Sequence, residues 1–276
     1  MAIDDVLGYA GRRVVVTGAA SGMGEATARL LVELDAEVVA LDVKPTSLEG
    51  ATGMQVDLRD RASIEETAAA LDGPVHAFFN CAGLPGPPFA DLDVMLVNFV
   101  GARHLIDSVV PKMPSGSAIA YVASAGGLGW QQQLGTLMEL IQTDGFDAAK
   151  AWCEAHPELI TGSGSYLFSK QVINAWTTWR AFELLDKHGI RLNCTNPGPT
   201  STGMMPYFHE AVGQSMVDAA QGPVGRYSTA EEQAWPLIFL NSPRCSYVSG
   251  ETFFTDGGFY AALQNGQLDF SKLMGS

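Results

Sequence analysis

The chain has 276 residues, of which 47% are hydrophobic and 30 are glycine, and its formal net charge is −14. That length and texture suit one sizeable packed α/β core and argue against disorder. The acidic balance argues against nucleic acid and anionic membrane as partners, but not against a dinucleotide, because a helix N-terminus holds phosphate without a basic residue.

A β-branched run at 13–17 predicts the first strand. Thr17-Gly18-Ala19-Ala20-Ser21-Gly22-Met23-Gly24 follows directly and opens a helix over 25–34. Gly18 permits the tight turn, Gly22 lets backbone approach a pyrophosphate, and Gly24 lets helix and strand pack closely. The spacing is Gly-x-x-x-Gly-x-Gly rather than the commoner Gly-x-Gly-x-x-Gly. A second buried strand is predicted over 37–41, and Asp42 stands at its end, 18 positions beyond Gly24. A carboxylate there accepts hydrogen bonds from adenosine ribose hydroxyls and repels a 2′-phosphate, so NAD is expected over NADP. No arginine lies in the glycine turn or just after Asp42, although Lys44 is close.

Further strands are predicted at 54–56, 77–79, 117–122, 190–195 and 252–255, and helices at 62–71, 93–109, 166–187 and 231–240. Short strands separated by helices of this length predict a parallel sheet with crossover helices. The expected architecture is a single-domain, Rossmann-type α/β fold over 1–276, doubly wound with helices on both faces. No internal repeat is visible.

Two stretches break the alternation. Residues 129–163 contain predicted helices at 134–141 and 146–155, and residues 200–227 are rich in Met, Gly and Pro. Connections this long are lids and binding loops, or else surface elaborations for subunit contacts. Both readings stand for the 129–163 insertion. Residues 200–227 are read as a substrate lid, because they follow Pro197-Gly198. Met204, Met205, Tyr207 and Phe208 there, with Trp130 and Trp152 in the insertion, suggest an apolar, fairly bulky ligand.

Tyr166 and Lys170 form Tyr-x-x-x-Lys at the start of the long 166–187 helix. Four residues make just over one helical turn, so both side chains point the same way with a rise of about 6 Å. A free phenol ionises near pH ~10. A lysine ammonium beside it is expected to lower that value and make Tyr166 an acid/base near neutral pH.

The four cysteines, Cys81, Cys153, Cys194 and Cys245, are scattered, with no Cys-x-x-Cys and no His or Cys pair at metal-ligand spacing. Reduced thiols and no metal are expected. The acidic N-terminus, Met1-Ala2-Ile3-Asp4-Asp5, lacks the apolar core of a signal peptide. No apolar run approaches the ~20 residues of a membrane helix, so a cytoplasmic protein is expected, and the sequon Asn193-Cys194-Thr195 is accidental.

Taken together, these motifs resemble those of the short-chain dehydrogenase/reductase family, in the family's order and over nearly the full length. Gly18, Gly22 and Gly24 match its Thr-Gly-x-x-x-Gly-x-Gly turn. Asp57, followed by Leu58, matches the acidic residue that touches adenine. Asn80-Cys81-Ala82-Gly83 matches Asn-Asn-Ala-Gly, with Cys81 replacing the second Asn. Asn98 falls in the helix that supplies the catalytic Asn. Ser124 follows the fifth strand, where the catalytic Ser lies, although the family usually has two serines where this chain has Ala123-Ser124. Pro197-Gly198 with Thr202 matches Pro-Gly-x-x-x-Thr, and Asp256-Gly257-Gly258 matches the closing Asp-Gly-Gly. Ser124 and Tyr166 stand 42 residues apart, wide for the family, and the gap is the 129–163 insertion. A similar gap occurs in the branch resembling bacterial 3α-hydroxysteroid dehydrogenase/carbonyl reductase, which is the nearest resemblance for substrate.

The resemblance implies reversible hydride transfer between NAD and a small-molecule secondary alcohol or ketone. Its catalytic set is Asn98, Ser124, Tyr166 and Lys170. The implied cofactor residues are Gly18, Ser21, Gly22, Met23, Gly24, Asp42, Asp57, Leu58, Asn80, Ala82, Gly83, Tyr166, Lys170, Pro197, Gly198, Thr200 and Thr202. Tyr166 exchanges the hydroxyl proton. Lys170 lowers the tyrosine pKa and binds the nicotinamide ribose, and Ser124 steadies the substrate oxygen. Asn98 holds a water that links Lys170 to solvent. The rivals are an NAD-binding sensor or assembly protein without turnover, against which the complete tetrad argues, and a nucleotide-sugar epimerase or dehydratase, whose relatives usually carry a larger C-terminal domain. The resemblance, with the apolar tail 259–263 and Phe270, also implies a homotetramer. A homodimer is the runner-up if the insertion blocks the central-helix interface.

Overall fold

The computed structural model describes residues 5–268; residues 1–4 and Phe270 lie outside the described residues. In chain order the strands are β1 (Arg13–Thr17), β2 (Glu37–Asp42), β3 (Ala51–Gln55), β4 (Ala77–Asn80), β5 (Ala118–Val122), β6 (Arg191–Pro197), β7 (Thr200–Ser201), β8 (Ser228–Thr229) and β9 (Thr252–Thr255). The α-helices are α1 (Gly22–Glu33), α2 (Arg61–Ala70), α3 (Asp91–Met95), α4 (Gly101–Val109), α5 (Leu134–Ile141), α6 (Gly145–Ala155), α7 (Ser163–His188), α8 (Met205–Val212), α9 (Gln214–Ala219), α10 (Ala230–Asn241) and α11 (Phe259–Gln264).

Seven strands pair in parallel in the order β3-β2-β1-β4-β5-β6-β9. Alternate side chains of each strand enter opposite layers. Val14, Val16 and Phe79 join Tyr9 and Leu237 on the α1/α10 face, whereas Val15 and Phe78 join Phe99 and Trp176 on the α2/α4/α7 face. In β1, β4 and β5 both faces are buried, so these central strands are largely apolar throughout rather than alternating with polar residues. Each buried side chain of this size contributes about 1.5–3 kcal/mol. The winding reverses between β1 and β4, and sheets of this kind bind ligands beyond the strand C-termini at that point.

The insertion is built into the core. Leu137, Leu140, Phe146 and Cys153 are buried, and α5 packs on α7. Arg103 of α4, itself buried, donates to the carbonyls of Ile141 (3.0 Å) and Gly145 (2.8 Å) and to Thr143 Oγ1 (3.2 Å). That guanidinium fastens the insertion to α4.

Several bounds differ from expectation. β3 begins at Ala51 and α7 at Ser163, each three residues early, and a π-helical turn (Leu96–Val100) interrupts the predicted 93–109 helix. The short β7–β8 pair is an addition. The continuous helical segment Asp91–Lys112 has 22 residues and a window hydropathy of 1.2, long and apolar enough to span a bilayer, contrary to the sequence expectation. Its window is 72% buried inside the protein, which makes it a core helix.

Candidate active site

The switch between β1 and β4 opens into a cleft of about 380 Å³. The glycine turn forms its floor. Gly18 has φ +68°, and a Cβ there would lie 2.8 Å from the backbone of Ala82. A Cβ on Gly24 would lie 2.1 Å from the Gly18 carbonyl oxygen. Both contacts are to backbone, so no side chain can be accommodated. Thr17 Oγ1 donates to Asn80 Oδ1 (2.9 Å) and accepts from the N–H groups of Cys81 and Ala82 (3.2 Å each), locking β1 to β4 beneath the turn. Ser21 makes no side-chain cap at the start of α1. The first N–H groups of that twelve-residue helix are therefore left for a ligand. This cradle fits a dinucleotide pyrophosphate.

Of the predicted cofactor residues, Gly18, Ser21, Gly22, Met23, Gly24, Asp42, Asp57, Leu58, Ala82, Gly83 and Thr202 line the cleft. Asp42 Oδ2 accepts from the Ala20 N–H (3.0 Å) and Oδ1 from the Lys44 N–H (2.9 Å), so the carboxylate is fixed at the rim with acceptor capacity left over. Arg59 also lines the cleft, and sequence reasoning missed it. It grips Asp57 through Nε (2.9 Å) and Nη2 (2.7 Å) and approaches Asp93 (3.5 Å). That grip holds the Asp57 carboxyl below its ordinary range. Its place two residues after Asp57 was the available signal.

Asn80, Tyr166, Lys170, Pro197, Gly198 and Thr200 lie outside the lining of this cleft, although Lys170 Nζ reaches to 3.8 Å from where a Cβ on the cleft residue Gly83 would sit. Asn80 lies under the turn, and its side-chain Nδ2 is buried without a partner. Gly198 is required by close packing, since a Cβ there would lie 2.9 Å from Asp256 Cα. Thr200 Oγ1 is committed to Gly198 O and Ser228 Oγ (2.9 Å each) and ties β7 to β8.

The four predicted catalytic residues converge past the ends of β4 and β5. The Tyr166 ring and the Ser124 hydroxyl come together at Gly126, where a Cβ would lie 3.4 Å from each, and the Ser124 hydroxyl acts to favour the phenolate. Ser124 Oγ also accepts from the Gly126 N–H (3.0 Å). Lys170 is buried, donates to Val122 O (3.0 Å) and lies 5.5 Å from the Tyr166 ring centre. Asn98 sits in the π-helical turn, a departure from α-helix that recurs at functional sites. Its amide oxygen accepts from the Leu84 N–H (2.6 Å), and its Nδ2 donates to Leu84 O and Ser169 Oγ (3.0 Å each). The Tyr121 hydroxyl donates to its carbonyl.

The charge states differ from expectation. Desolvation pushes Tyr166 up to about 12, only partly opposed by the nearby Ser124 hydroxyl, and pulls Lys170 down to about 8. Lys170 does not lower the tyrosine here. Its ammonium is spent on a carbonyl, and the low-polarity surroundings oppose charge on both groups. Cys81 lines the cleft, but burial raises its thiol to about 12, which leaves it unreactive.

The lid stretch folds as α8 and α9. Phe208 of α8 meets Tyr166 edge-on, with ring centres 5.0 Å apart, and Tyr207 meets Phe89 at 6.1 Å. Met204 lines the cleft and Met205 is buried. Trp152 stacks on Phe168 and His156, and Trp130 packs against the core, so the insertion tryptophans serve packing.

Residues 12–134 match the family described as short chain dehydrogenase, and residues 155–260 match the one described as enoyl-(acyl carrier protein) reductase. The cis-4-hydroxycyclohexanecarboxylate dehydrogenase of Sinomonas cyclohexanicum is 31% identical, with 92% of this chain and 98% of that protein aligned. The coniferyl-alcohol dehydrogenase of a Pseudomonas species is 29% identical over 90% of this chain and 96% of its own length. The 3-alpha-hydroxysteroid dehydrogenase/carbonyl reductase of Comamonas testosteroni is 28% identical over 91% and 97%. The crystal structure of the 3-alpha-hydroxysteroid dehydrogenase from Pseudomonas sp. B-0831, complexed with NADH, superposes with a TM-score of 0.78 at 24% identity, covering 93% of this chain and 100% of that one. At that identity the likeness shows the fold.

Proposed function

The chain belongs to the short-chain dehydrogenase/reductase family, and from that premise we propose that it is an NAD-dependent dehydrogenase interconverting a secondary alcohol and its ketone. The observation that carries this reading is the convergence of Tyr166 and Ser124 at Gly126, with buried Lys170 one turn along the same helix and 5.5 Å from the Tyr166 ring centre. Tyr166, held protonated at neutral pH, donates a proton to a carbonyl oxygen and takes it back when the alcohol is oxidised. Ser124 donates to that same oxygen and steadies its charge. A bound nicotinamide cofactor supplies the hydride chemistry.

The glycine turn and the open α1 N-terminus would receive the pyrophosphate, and Asp42 the ribose hydroxyls. NAD is favoured over NADP by the Asp42 carboxylate and by the engagement of Arg59 with Asp57 and Asp93. Phe208 meets the Tyr166 ring edge-on, and Met204 lines the neighbouring cleft, so apolar groups flank this end of the site. Together with relatives named for cyclic, aryl and steroid alcohols, this supports a bulky apolar substrate such as a hydroxysteroid or a cyclic or aryl alcohol. The test is a screen of purified protein with NAD and with NADP against those three alcohol classes, following absorbance of the reduced nicotinamide. Bound NAD with no turnover on any class would instead favour a non-catalytic NAD-binding protein.

A further inference from the structure

The edge of the sheet opposite the cleft holds a second cavity, of about 310 Å³, whose polar lining is Arg12, His76, Ser115, Ser117, Arg191 and Ser246. Arg12 precedes β1, His76 precedes β4, Ser117 precedes β5 and Arg191 opens β6. These four strands are neighbours in the sheet, so the parallel arrangement brings their N-terminal ends, and these side chains, to one place. No carboxylate lines the cavity.

That concentration of positive groups stands out in a chain of net charge −14. Arg13, Arg29, Arg59, Arg61, Arg180 and Arg226 each meet a carboxylate. Arg191, only 4% exposed, meets none. It donates to the carbonyls of Leu240 (2.6 Å), Ser242 (2.9 Å) and Val248 (3.2 Å). Those bonds clamp the end of α10 and leave two of its five N–H groups. The Arg12 side chain has no hydrogen bond or ion pair among the described residues. His76 Nδ1 is buried without a partner. Both guanidinium charges act on the phenol of Tyr9, so they converge on one region.

We propose that this cavity binds a compact phosphate-bearing anion between Arg12 and Arg191, with His76 and the serine hydroxyls completing the polar shell. Guanidinium forks match phosphate oxygens in geometry and charge. An anion there supplies the countercharge that Arg191 lacks.

The test is calorimetric titration of the full chain with inorganic phosphate and, separately, glycerol phosphate, with ionic strength held constant by chloride. Saturable binding is expected, at least tenfold weaker in Arg12→Glu, whose melting temperature and dinucleotide affinity stay at the parent values. Arg12→Gln gives the same loss without reversing the charge, should the first variant fold poorly. The glycine turn is another place for phosphate, so the titrations are repeated with excess NAD, and the Arg12-dependent signal must persist. Tighter binding of glycerol phosphate identifies a phosphate monoester as the occupant, and equal binding identifies the free ion. No binding, equal binding by Arg12→Glu, or loss of the signal under NAD overturns the proposal and leaves Arg191 as a structural clamp.

Discussion

Tyr166→Phe separates chemistry from structure because it removes one oxygen and leaves the ring. The ring still meets Phe208 edge-on, at 5.0 Å in the parent. Ser124 loses the phenol but keeps its bond from the Gly126 N–H at 3.0 Å, so no buried hydroxyl is orphaned. One neutral hydrogen bond contributes about 0.5–1.5 kcal/mol net. For a chain of this size about 1 kcal/mol moves Tm by roughly 2–4 °C, so the variant should melt within a few degrees of the parent. Turnover should fall by about 10²–10⁴, the usual share of a general acid/base. At about 1.36 kcal/mol per tenfold that is roughly 3–5 kcal/mol, several times the stability change. The assay pairs kcat on a good substrate with a melting curve and a dinucleotide titration, and the titration should be unchanged. A near-parent kcat would refute the role of Tyr166 as acid/base. A fall in Tm of more than about 10 °C would show that the residue holds the fold instead.

Asp42→Ala should relax rejection of NADP, read as kcat/KM for both cofactors; a parent protein already preferring NADP would sink the assignment. Lys170 has a folded pKa of about 8, below its ordinary 10.5, so between those values the unfolded chain holds more protons and stability rises with pH. That gain is absent below about 8. Lys170→Met lacks it, so the Tm difference should move in favour of the parent from pH 8 to about 10, and a difference independent of pH would contradict a buried, depressed lysine. Light scattering should give four chains per particle; two would implicate the insertion, with α5 on α7 and α6 beside α4, as a block to the central-helix interface, and one would refute assembly.

What the amino-acid order alone determined here is what depends on spacing within a turn or a strand. The valines of β1 and β2, the glycines at 18, 22 and 24, and the separation of Tyr166 from Lys170 each encode a local geometry, and each appears where its period puts it. The two inserted helices at 134–141 and 145–155 were legible for the same reason, because their apolar residues recur on one face. How the insertion is anchored was not legible, since that depends on Arg103 reaching carbonyls about forty residues away. Tertiary packing also brought Arg59 into the cleft wall, set Phe208 on Tyr166, and turned Thr200 and Gly198 to structural use. The charge state of the central pair shows the divide most clearly. Spacing brings a lysine near a tyrosine and suggests a lowered phenol, but desolvation is set by everything packed around the two groups. In the folded chain it outweighs their proximity, raising Tyr166 to about 12 and lowering Lys170 to about 8.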